Sequence, residues 1–591
     1  MGALDHEHGV AFRVWAPNAE SVHVTGDFND WDDEATPLER EGGGYWYGDV
    51  AGATAGQGYK FVIGARGERF ARIDPYARAV TSSVGNGIIV SRAHEKHDFE
   101  MPPWNRLVMY EMHVGTFHRT QDNEVGTFED AIRRLDHLKK LGVSAVQVMP
   151  AMEFAGDVSL GYNPAHIFAI ESSYGGPEAF RNFIRAAHEA GIAVILDVVY
   201  NHFGPSDLDL WRFDGWGESD KGGIYFYNDW RSNTPWGDTR PDYGRPEVRQ
   251  FIRDNALFWL DEYGLDGLRF DMTLYMRTVK GDENDPEDAL EDGWSLMRWI
   301  NEEVRDRFPG RIIIAEDLRN QDILTAAPAD GGAGFGAQWD AEFVHPIRAV
   351  LVAQDDARRD MGMVARALSH AYNGDPYQRV VYTESHDEVA NGKARVVHEI
   401  APGDPSHWAA QKRSTLGAAL TLTAPGIPML FQGQEFLQGE WFQDTVPLDW
   451  DRSEEFHGII RLYRDLIRFR LDRMGVTAGL GGRHIALTRI DEDQKVVAYR
   501  RWHEGGPGDD VMIVANFSHE PKRPYRVGFP EAGHWVLRLN SDWKGYSDDF
   551  ANFESADVTA EAEPLDDLPA SAGVAIGSYS LLIYSKDPQR E

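Results

Sequence analysis

The first hundred residues alternate hydrophobic and polar positions in short runs. The stretches "AFRVWAPNA", "SVHVTGDFN" and "GYKFVIG" place apolar side chains near every second position, with Gly, Asn and Asp between the stretches. A period of two is the pattern of a strand with one buried face, and short strands at turn-rich spacing are typical of an all-β sandwich. We therefore predict a β-sandwich over residues 1–100.

Between residues 101 and 482 the pattern changes to fully apolar runs that alternate with amphipathic stretches. Two such stretches, "TFEDAIRRLDHLKKLG" and "GPEAFRNFIRAAHEAG", are predicted helices that end at Gly. Apolar runs between helices are typical of buried parallel strands, and about eight such units predict a closed barrel. The sixth strand is expected near "GFGAQWDAEFVH", where the periodicity is weak. The other seven runs are "LVMYEMHV", "VSAVQVMP", "AVILDVVY", "LDGLRFD", "RIIIAED", "RVVYTES" and "IPMLFQG".

From residue 483 to residue 591 the pattern returns to short alternating runs, for example "KVVAYRRW", "VMIVANFS" and "YSLLIYS". These runs predict a second all-β region, which we expect to be a β-sandwich. The predicted fold class is thus α/β, with a (β/α)8 TIM barrel flanked by an N-terminal β-sandwich and a C-terminal all-β domain.

Composition and charge limit the expected location, chemistry and partners of the protein. No run of about 18 apolar residues is present, so we expect no membrane span, and the start "MGALDHEHGV" lacks the pattern of a secretory signal. The cytoplasm is therefore the expected location. The absence of Cys excludes disulfides and thiolate chemistry. A formal net charge of -36 argues against nucleic acid and favours a neutral substrate; the acidity fits a solvated surface or adaptation to high salt.

Charged and polar side chains gather at the C-terminal ends of four predicted strands, where barrel enzymes carry their active sites. Each group alone is easily explained as structural. A structural role does not explain four carboxylate-bearing ends at one barrel mouth, because unpaired carboxylates repel one another. The groups are Asp197, Asn201 and His202 in "ILDVVYNH", Arg269 and Asp271 in "LRFD", Glu316 and Asp317 in "IIIAED", and His386 and Asp387 in "TESHDE".

The residue inventory favours glycoside chemistry. The chain contains no GxSxG, Walker A or HExxH motif, and no Cys nucleophile. Paired carboxylates can act as nucleophile and proton donor at a sugar, and the 18 Trp and 22 Tyr residues offer faces for pyranose rings. A carboxylate cluster that binds a divalent metal for phosphoryl transfer is the alternative.

Four of these segments carry a family resemblance. In chain order, "DVVYNH", "GLRFD", "AED" and "ESHDE" resemble the four motifs of the α-amylase superfamily, glycoside hydrolase family 13. The segment "FRVWAPNAESVHVTGDFNDW" is similar to the N-terminal carbohydrate-binding-like sandwich of branching and debranching enzymes. The resemblance covers nearly the whole chain and agrees with the strand ends inferred above.

The resemblance implies roles for the three carboxylates. Asp271 resembles the nucleophile that forms a covalent glycosyl-enzyme, and Glu316 resembles the general acid/base. Asp387 resembles the carboxylate that stabilises the oxocarbenium-like transition state. Arg269 would keep Asp271 ionised through a charge-assisted hydrogen bond.

The resemblance also implies substrate-binding residues. His202 and His386 would hydrogen-bond the reactive sugar, and Asp197 would support the geometry. Tyr162 in "LGYNP" resembles the aromatic platform under that sugar; a core tyrosine beside a turn is the alternative. We expect no required cofactor or metal; Asn201 occupies a position that binds calcium in many amylases, and an ordinary loop hydrogen bond is the alternative.

The reaction depends on whether a sugar hydroxyl or water intercepts the intermediate. The segments "ESHDEVANGK" and "FQGQEFLQGEW" resemble α-1,4-glucan branching enzymes, whereas "YEMHVGTF" and "LRFDMTLYM" resemble maltooligosyl trehalose trehalohydrolases. Branching is the first expectation; a trehalohydrolase or an α-amylase-type hydrolase is the alternative. The intact carboxylate set argues against a silent glucan-binding protein. The expected partner is an α-glucan such as amylose, glycogen or a maltooligosaccharide.

Overall fold

The computed structural model describes residues 1–91, 99–120 and 124–588. It contains a closed eight-stranded parallel barrel with one all-β region before it and another after it. The predicted fold class is confirmed. The predicted domain boundaries near residues 100 and 482 remain predictions; residues 92–98 and 589–591, within the first and third predicted domains, lie outside the described part of the chain.

The N-terminal region is a sandwich of two antiparallel sheets. One sheet has the strand order β1-β2-β5-β4, and the other is built from β3, β6 and β7 with β8 paired to β6. Alternate residues of β2, including Phe12 and Val14, are buried in the core between the sheets. The strands are β1 Gly2–His6, β2 Gly9–Trp15, β3 Ser21–Gly26, β4 Glu39–Arg40, β5 Tyr45–Ala51, β6 Gly58–Ala65, β7 Glu68–Arg72 and β8 Gly87–Ile88.

The barrel closes through parallel pairing of its first strand, β9, with its last, β18. Its sixth strand, β16, lies where the sequence was least periodic. Every strand is buried along its length, as apolar runs between helices require. The strands of this region are β9 Met109–Met112, β10 Ala145–Val148, the hairpin β11 Met152–Phe154 and β12 Pro164–Ile170, then β13 Ala193–Val198, β14 Gly267–Phe270, β15 Ile312–Ala315, β16 Ala337–Trp339, β17 Arg379–Val381 and β18 Ile427–Phe431.

The helices surround the barrel. The stretch predicted as one helix from Thr127 to Gly142 forms two, because Arg134 leaves helical geometry with φ −110° and ψ 1°. A capping box between Thr127 and Asp130 begins the first, and Gly142 in the left-handed conformation ends the second. The helices are α1 Val114–Phe117, α2 Phe128–Ile132, α3 Leu135–Leu141, α4 Gly176–Glu189, α5 Pro246–Glu262, α6 Leu274–Arg277, α7 Glu291–Arg307, α8 Ala341–Val352, α9 Met361–Ser369, α10 Val396–Ile400, α11 Trp408–Thr423, α12 Arg452–Glu455 and α13 His457–Arg470.

The C-terminal region packs a six-stranded sheet against a two-stranded one. The large sheet has the order β19-β20-β21-β26-β23-β24, and β22 pairs with β25. None of the helices that the structure describes, in any of the three regions, is both long and apolar enough to cross a bilayer. The strands are β19 His484–Asp491, β20 Val496–Trp502, β21 Val511–Asn516, β22 Lys522–Phe529, β23 Gly533–Asn540, β24 Val558–Ala560, β25 Ala570–Ile576 and β26 Ser580–Ser585.

A buried ion pair joins the barrel to the C-terminal region. The Lys412 ammonium on α11 lies 2.6 Å from Asp542 Oδ1, and the two side chains are 0% and 1% exposed. The same ammonium lies over the Phe550 ring. Removal of one partner would leave an uncompensated charge in an apolar site, which is far more costly than removal of both charges.

We therefore predict that Asp542→Ala lowers the free energy of unfolding by about 3–5 kcal/mol. The measurement is the midpoint of thermal or denaturant unfolding. The double variant Lys412→Met with Asp542→Asn carries no buried charge here and should regain most of the loss. A double variant as unstable as Asp542→Ala would show that the ion pair is not the cause.

Candidate active site

One buried guanidinium holds the candidate site together. Arg269 on β14 is fully buried, and its Nη1 donates to both oxygens of Asp197 at 2.8 and 2.6 Å and to Asp271 Oδ1 at 3.0 Å. Its Nη2 lies 2.6 Å from Glu316 Oε2. The Trp339 ring lies 4.3 Å from the guanidinium carbon. A single cation thus contacts three carboxylates.

Strand register explains this convergence. Asp197 on β13 pairs in register with Arg269 on β14, so both side chains point into the barrel. Asp271 and Glu316 directly follow β14 and β15 and continue the same alternation at the mouth. The next residue after Glu316, Asp317, points the other way and pairs with Arg277 at 2.7 Å. Asp317 therefore lies outside the cluster, although its position at a strand end had placed it among the candidates.

Asp271 is fixed by an amide from the neighbouring strand end. Asn201 Nδ2 donates to Asp271 Oδ2 and to its backbone oxygen, both at 2.8 Å. The Asp271 residue keeps 6% exposure, more than Arg269, Asp197 or Glu316. Donors from Arg269 and Asn201 therefore stabilise its carboxylate, while the open side faces the mouth.

Glu316 is a buried acid whose protonated form is favoured. Its Oε2 accepts from the Met272 backbone N–H at 3.0 Å, and its Oε1 is buried without a hydrogen-bond partner among the described residues. Burial raises the pKa of this carboxyl well above its usual value; Arg269 opposes the shift, and Asp271 and Asp387 add to it. Burial therefore favours the protonated form of the Glu316 carboxyl.

Asp387 and His386 lie across the mouth on the segment after β17. The Asp387 side chain is 44% exposed, and its Oδ1 lies 3.5 Å from His386 Nε2. Burial opposes a charge on His386, but Asp387 and Glu111 outweigh burial and raise the pKa of the imidazole to about 9. His386 is thus a cation at neutral pH.

Two further predicted residues line the same space. Tyr162 donates its hydroxyl to Asp197 Oδ2 at 2.7 Å, and its ring stacks on His386 with centroids 4.8 Å apart. His202 Nε2 lies 3.0 Å from Asn163 Oδ1. Burial lowers the pKa of His202 to about 3, so its ring is neutral. Apart from Asp317, the structure therefore brings the predicted site residues to one mouth.

Three residues at the site were missed by the sequence interpretation. Glu111, the third residue of β9, contacts His386. Trp339 ends β16 and lies against the Arg269 guanidinium, and Trp236 stacks on His202 with centroids 4.6 Å apart. Glu111 did leave a signal, because it is the one charged residue of the apolar run "LVMYEMHV". Trp236 lies in a long loop without periodicity and left none.

The contacts of Asn201 do not suit a calcium ligand. Its amide nitrogen donates to Asp271, and its amide oxygen lies 2.5 Å from His202 Nδ1. Among the described residues, no group of three or more His, Asp or Glu side chains is placed to hold a metal ion. The expectation that no cofactor is required stays a prediction.

Family models match three parts of the chain. Carbohydrate-binding module 48, the isoamylase N-terminal domain, matches residues 1–77; the alpha amylase catalytic domain matches residues 112–211; and the alpha amylase C-terminal all-beta domain matches residues 488–587. These matches agree with the three structural regions.

Solved structures share the fold. Pullulanase type I from Bacillus subtilis, complexed with maltose, has 22% identity and a TM-score of 0.75, with coverage of 100% of this chain and 85% of that one. A pullulanase from Anoxybacillus, complexed with maltotetraose, has 21% identity and a TM-score of 0.74, covering 99% and 87%. At this identity the similarity concerns the fold alone.

Relatives with higher sequence identity show the family of the chain more specifically than the shared fold does. The 1,4-alpha-glucan branching enzyme GlgB of Rhodospirillum rubrum is 32% identical, over 92% of this chain and 75% of the relative. The enzyme of the same name from Oceanobacillus iheyensis is 30% identical, over 91% of this chain and 86% of the relative. With the four motifs at one barrel mouth and the two flanking β regions, the chain belongs to the 1,4-alpha-glucan branching enzyme family of the α-amylase superfamily.

Proposed function

We propose that this protein is an α-1,4-glucan branching enzyme that cleaves an α-1,4 bond and transfers the chain to a 6-hydroxyl through a covalent glycosyl-aspartate. The observation that carries the proposal is the set of three carboxylates around Arg269 at the barrel mouth, in a chain of the branching-enzyme family. The relatives favour branching over trehalose release or simple hydrolysis. The substrate is an α-glucan.

Asp271 is the proposed nucleophile. Its carboxylate receives hydrogen bonds from Arg269 and Asn201, which favour the ionised form needed for attack on the anomeric carbon. Asp271 and Glu316 contact adjacent nitrogens of one guanidinium, which keeps the two carboxyls close. A separation of about 5 Å leaves no room for an intervening water and requires a retaining double displacement.

Glu316 is the proposed acid and base. In the first step its proton passes to the glycosidic oxygen, the bond between that oxygen and the anomeric carbon breaks, and Asp271 bonds to the anomeric carbon. The released glucan fragment leaves with the proton on its 4-hydroxyl. In the second step its carboxylate removes a proton from the incoming 6-hydroxyl, and that oxygen displaces Asp271. The raised pKa supports this cycle, because the acid must hold its proton until the leaving group departs.

The remaining residues bind the reactive sugar. The exposed Asp387 carboxylate faces the mouth, where it can stabilise positive charge on the sugar. We propose that His386 and the neutral His202 form hydrogen bonds with the reactive sugar. We propose that the Tyr162 ring is the aromatic platform under that sugar. Asp197 fixes Arg269 and Tyr162 through three hydrogen bonds.

Two aromatic side chains, Trp236 and Tyr275, lie close to segments that contact the site and offer faces for an acceptor sugar. The backbone of Met272 and the hydroxyl of Thr273 both bond to Glu316, so the segment that continues to Tyr275 adjoins the acid/base. The Tyr275 ring contacts Trp236 edge to face at 5.3 Å. Transfer requires a positioned acceptor, since bulk water is about 55 M and only high effective molarity competes with it. We propose that these two rings hold the acceptor glucan.

The proposed roles of the two carboxyls predict nearly complete loss of turnover. Asp271→Asn and Glu316→Gln should each lower kcat by about 10³-fold or more while the thermal midpoint changes little, because both changes are nearly isosteric. Branching is measured on amylose by new α-1,6 signals in proton NMR. Glu384→Gln is the matched control: this carboxylate is equally buried near the mouth but pairs with Arg395. Near-normal turnover in either variant would remove that residue from its role.

The acceptor proposal predicts a change in the balance of products. Trp236→Ala should let water compete, so that reducing ends appear faster relative to the loss of iodine colour on amylose. Trp299→Ala removes another partly exposed tryptophan, on α7, and serves as control. In the wild-type protein, iodine colour should fall faster than reducing ends appear. Equal rates there, or trehalose released from a trehalose-capped oligosaccharide, would contradict branching itself.

A further inference from the structure

Glu111 is a fully buried carboxylate within β9, one residue before the strand ends, and it has no part in the proposed reaction steps. Its Oε1 lies 2.7 Å from His386 Nδ1, and its Oε2 accepts the His386 backbone N–H at 2.9 Å. The Glu111 carboxylate therefore contacts both the ring and the backbone of His386. This double contact fixes where the ring lies and which way it is turned.

The double contact also decides the state of the imidazole. Because Nδ1 faces a carboxylate oxygen, that nitrogen carries a hydrogen. The second nitrogen, Nε2, faces the mouth beside Asp387. If the ring were neutral with its hydrogen on Nδ1, then Nε2 would be a bare acceptor facing the Asp387 carboxylate, which is unfavourable. Only the doubly protonated ring can donate on both sides.

The charges around the ring favour the same state. Two carboxylates, Glu111 and Asp387, face it, and Arg269 is the opposing cation. The uncharged Tyr162 ring stacks on one face, and His113, whose pKa burial lowers to about 4, is neutral. The two negative charges outweigh burial and Arg269, and they raise the pKa of His386 to about 9.

We infer that Glu111 is a positioning residue of the reaction, which holds His386 as an imidazolium with its Nε2–H directed at Asp387 and the reactive sugar. This inference rests on the proposed function of the site. The cation so held does two things: it donates a hydrogen bond to a sugar hydroxyl, and its positive charge attracts the neighbouring Asp387 carboxylate and fixes its position in the mouth. Glu111 itself touches neither the substrate nor the reacting atoms.

The variant Glu111→Gln tests this inference, because it preserves shape and removes the charge. One amide cannot accept at both contacts, and its NH2 group would face either Nδ1 or the backbone N–H. We expect the titration midpoint of His386 to fall by roughly 1–3 pH units. The measurement is NMR of the protein labelled with 13C at histidine Cε1, with the signal assigned by its loss in His386→Gln.

The same variant should change catalysis in a defined way. In the wild-type protein His386 is charged below pH about 9 and loses its proton as the pH rises through that value. In Glu111→Gln the loss begins at lower pH, so the deficit in kcat should grow from acid to alkaline conditions. At neutral pH we expect kcat to fall about 10-fold to 100-fold, with KM changed little.

Two further variants separate charge from structure. Glu111→Asp keeps the negative charge and should restore most of the midpoint and of kcat. Glu384→Gln removes another buried carboxylate, on the segment after β17, where it bonds Arg395 and the Val396 backbone; this variant should leave the His386 midpoint in place. If Glu111→Gln does not fold, Glu111→Asp still decides, because a fall of the midpoint there would contradict the inference.

The outcomes distinguish the two proposals. An unchanged His386 midpoint in Glu111→Gln, or an equal fall in Glu384→Gln, overturns the role of Glu111 and leaves branching untouched. Absence of α-1,6 linkages with the wild-type protein overturns the proposed function, while the histidine titration still reports on the carboxylate. A uniform loss of kcat at all pH values would indicate a purely structural Glu111.

Discussion

The site depends on a single buried cation. Arg269 lies at the centre of the barrel mouth with no exposure, and Asp197, Asp271 and Glu316 lie around its guanidinium. Taking several charges out of water costs several kcal/mol per ion unless partners and hydrogen bonds compensate. Without this arginine, the carboxylates could not lie so close together and ionise.

One cation cannot neutralise three carboxylates, so their protonation must differ. Burial outweighs the attraction of Arg269 at Asp197 and raises the pKa of that carboxyl to about 7, and burial also raises the pKa of Glu316. Asp271 has more exposure and an added donor from Asn201. The environment therefore favours the protonated form of Glu316 and supplies hydrogen-bond donors to the Asp271 carboxylate, a difference that the proposed acid and the proposed nucleophile require.

The features that could be predicted from the sequence are those that depend on hydrophobic periodicity and on position at a strand end. Apolar runs located the barrel strands, and the residues at their C-terminal ends located the cluster, because barrel geometry brings these ends together. Position at a strand end did not predict on which side Asp317 lies, because neighbouring residues at a strand end point to opposite sides. Glu111 was hidden inside an apolar run, and its partner His386 lies far away in sequence. Trp236 belongs to a loop whose conformation depends on tertiary contacts with His202 and Tyr275.

The contact between Glu111 and His386 joins residues that are 275 positions apart. Loop closure over such a length is entropically costly, and folds dominated by distant contacts form slowly. Glu111 and the segment after β17 meet across the mouth of the closed barrel, in which β9 pairs with β18. A barrel left open between its first and last strands would leave this contact unmade, so closure of the barrel completes the site as well as the fold.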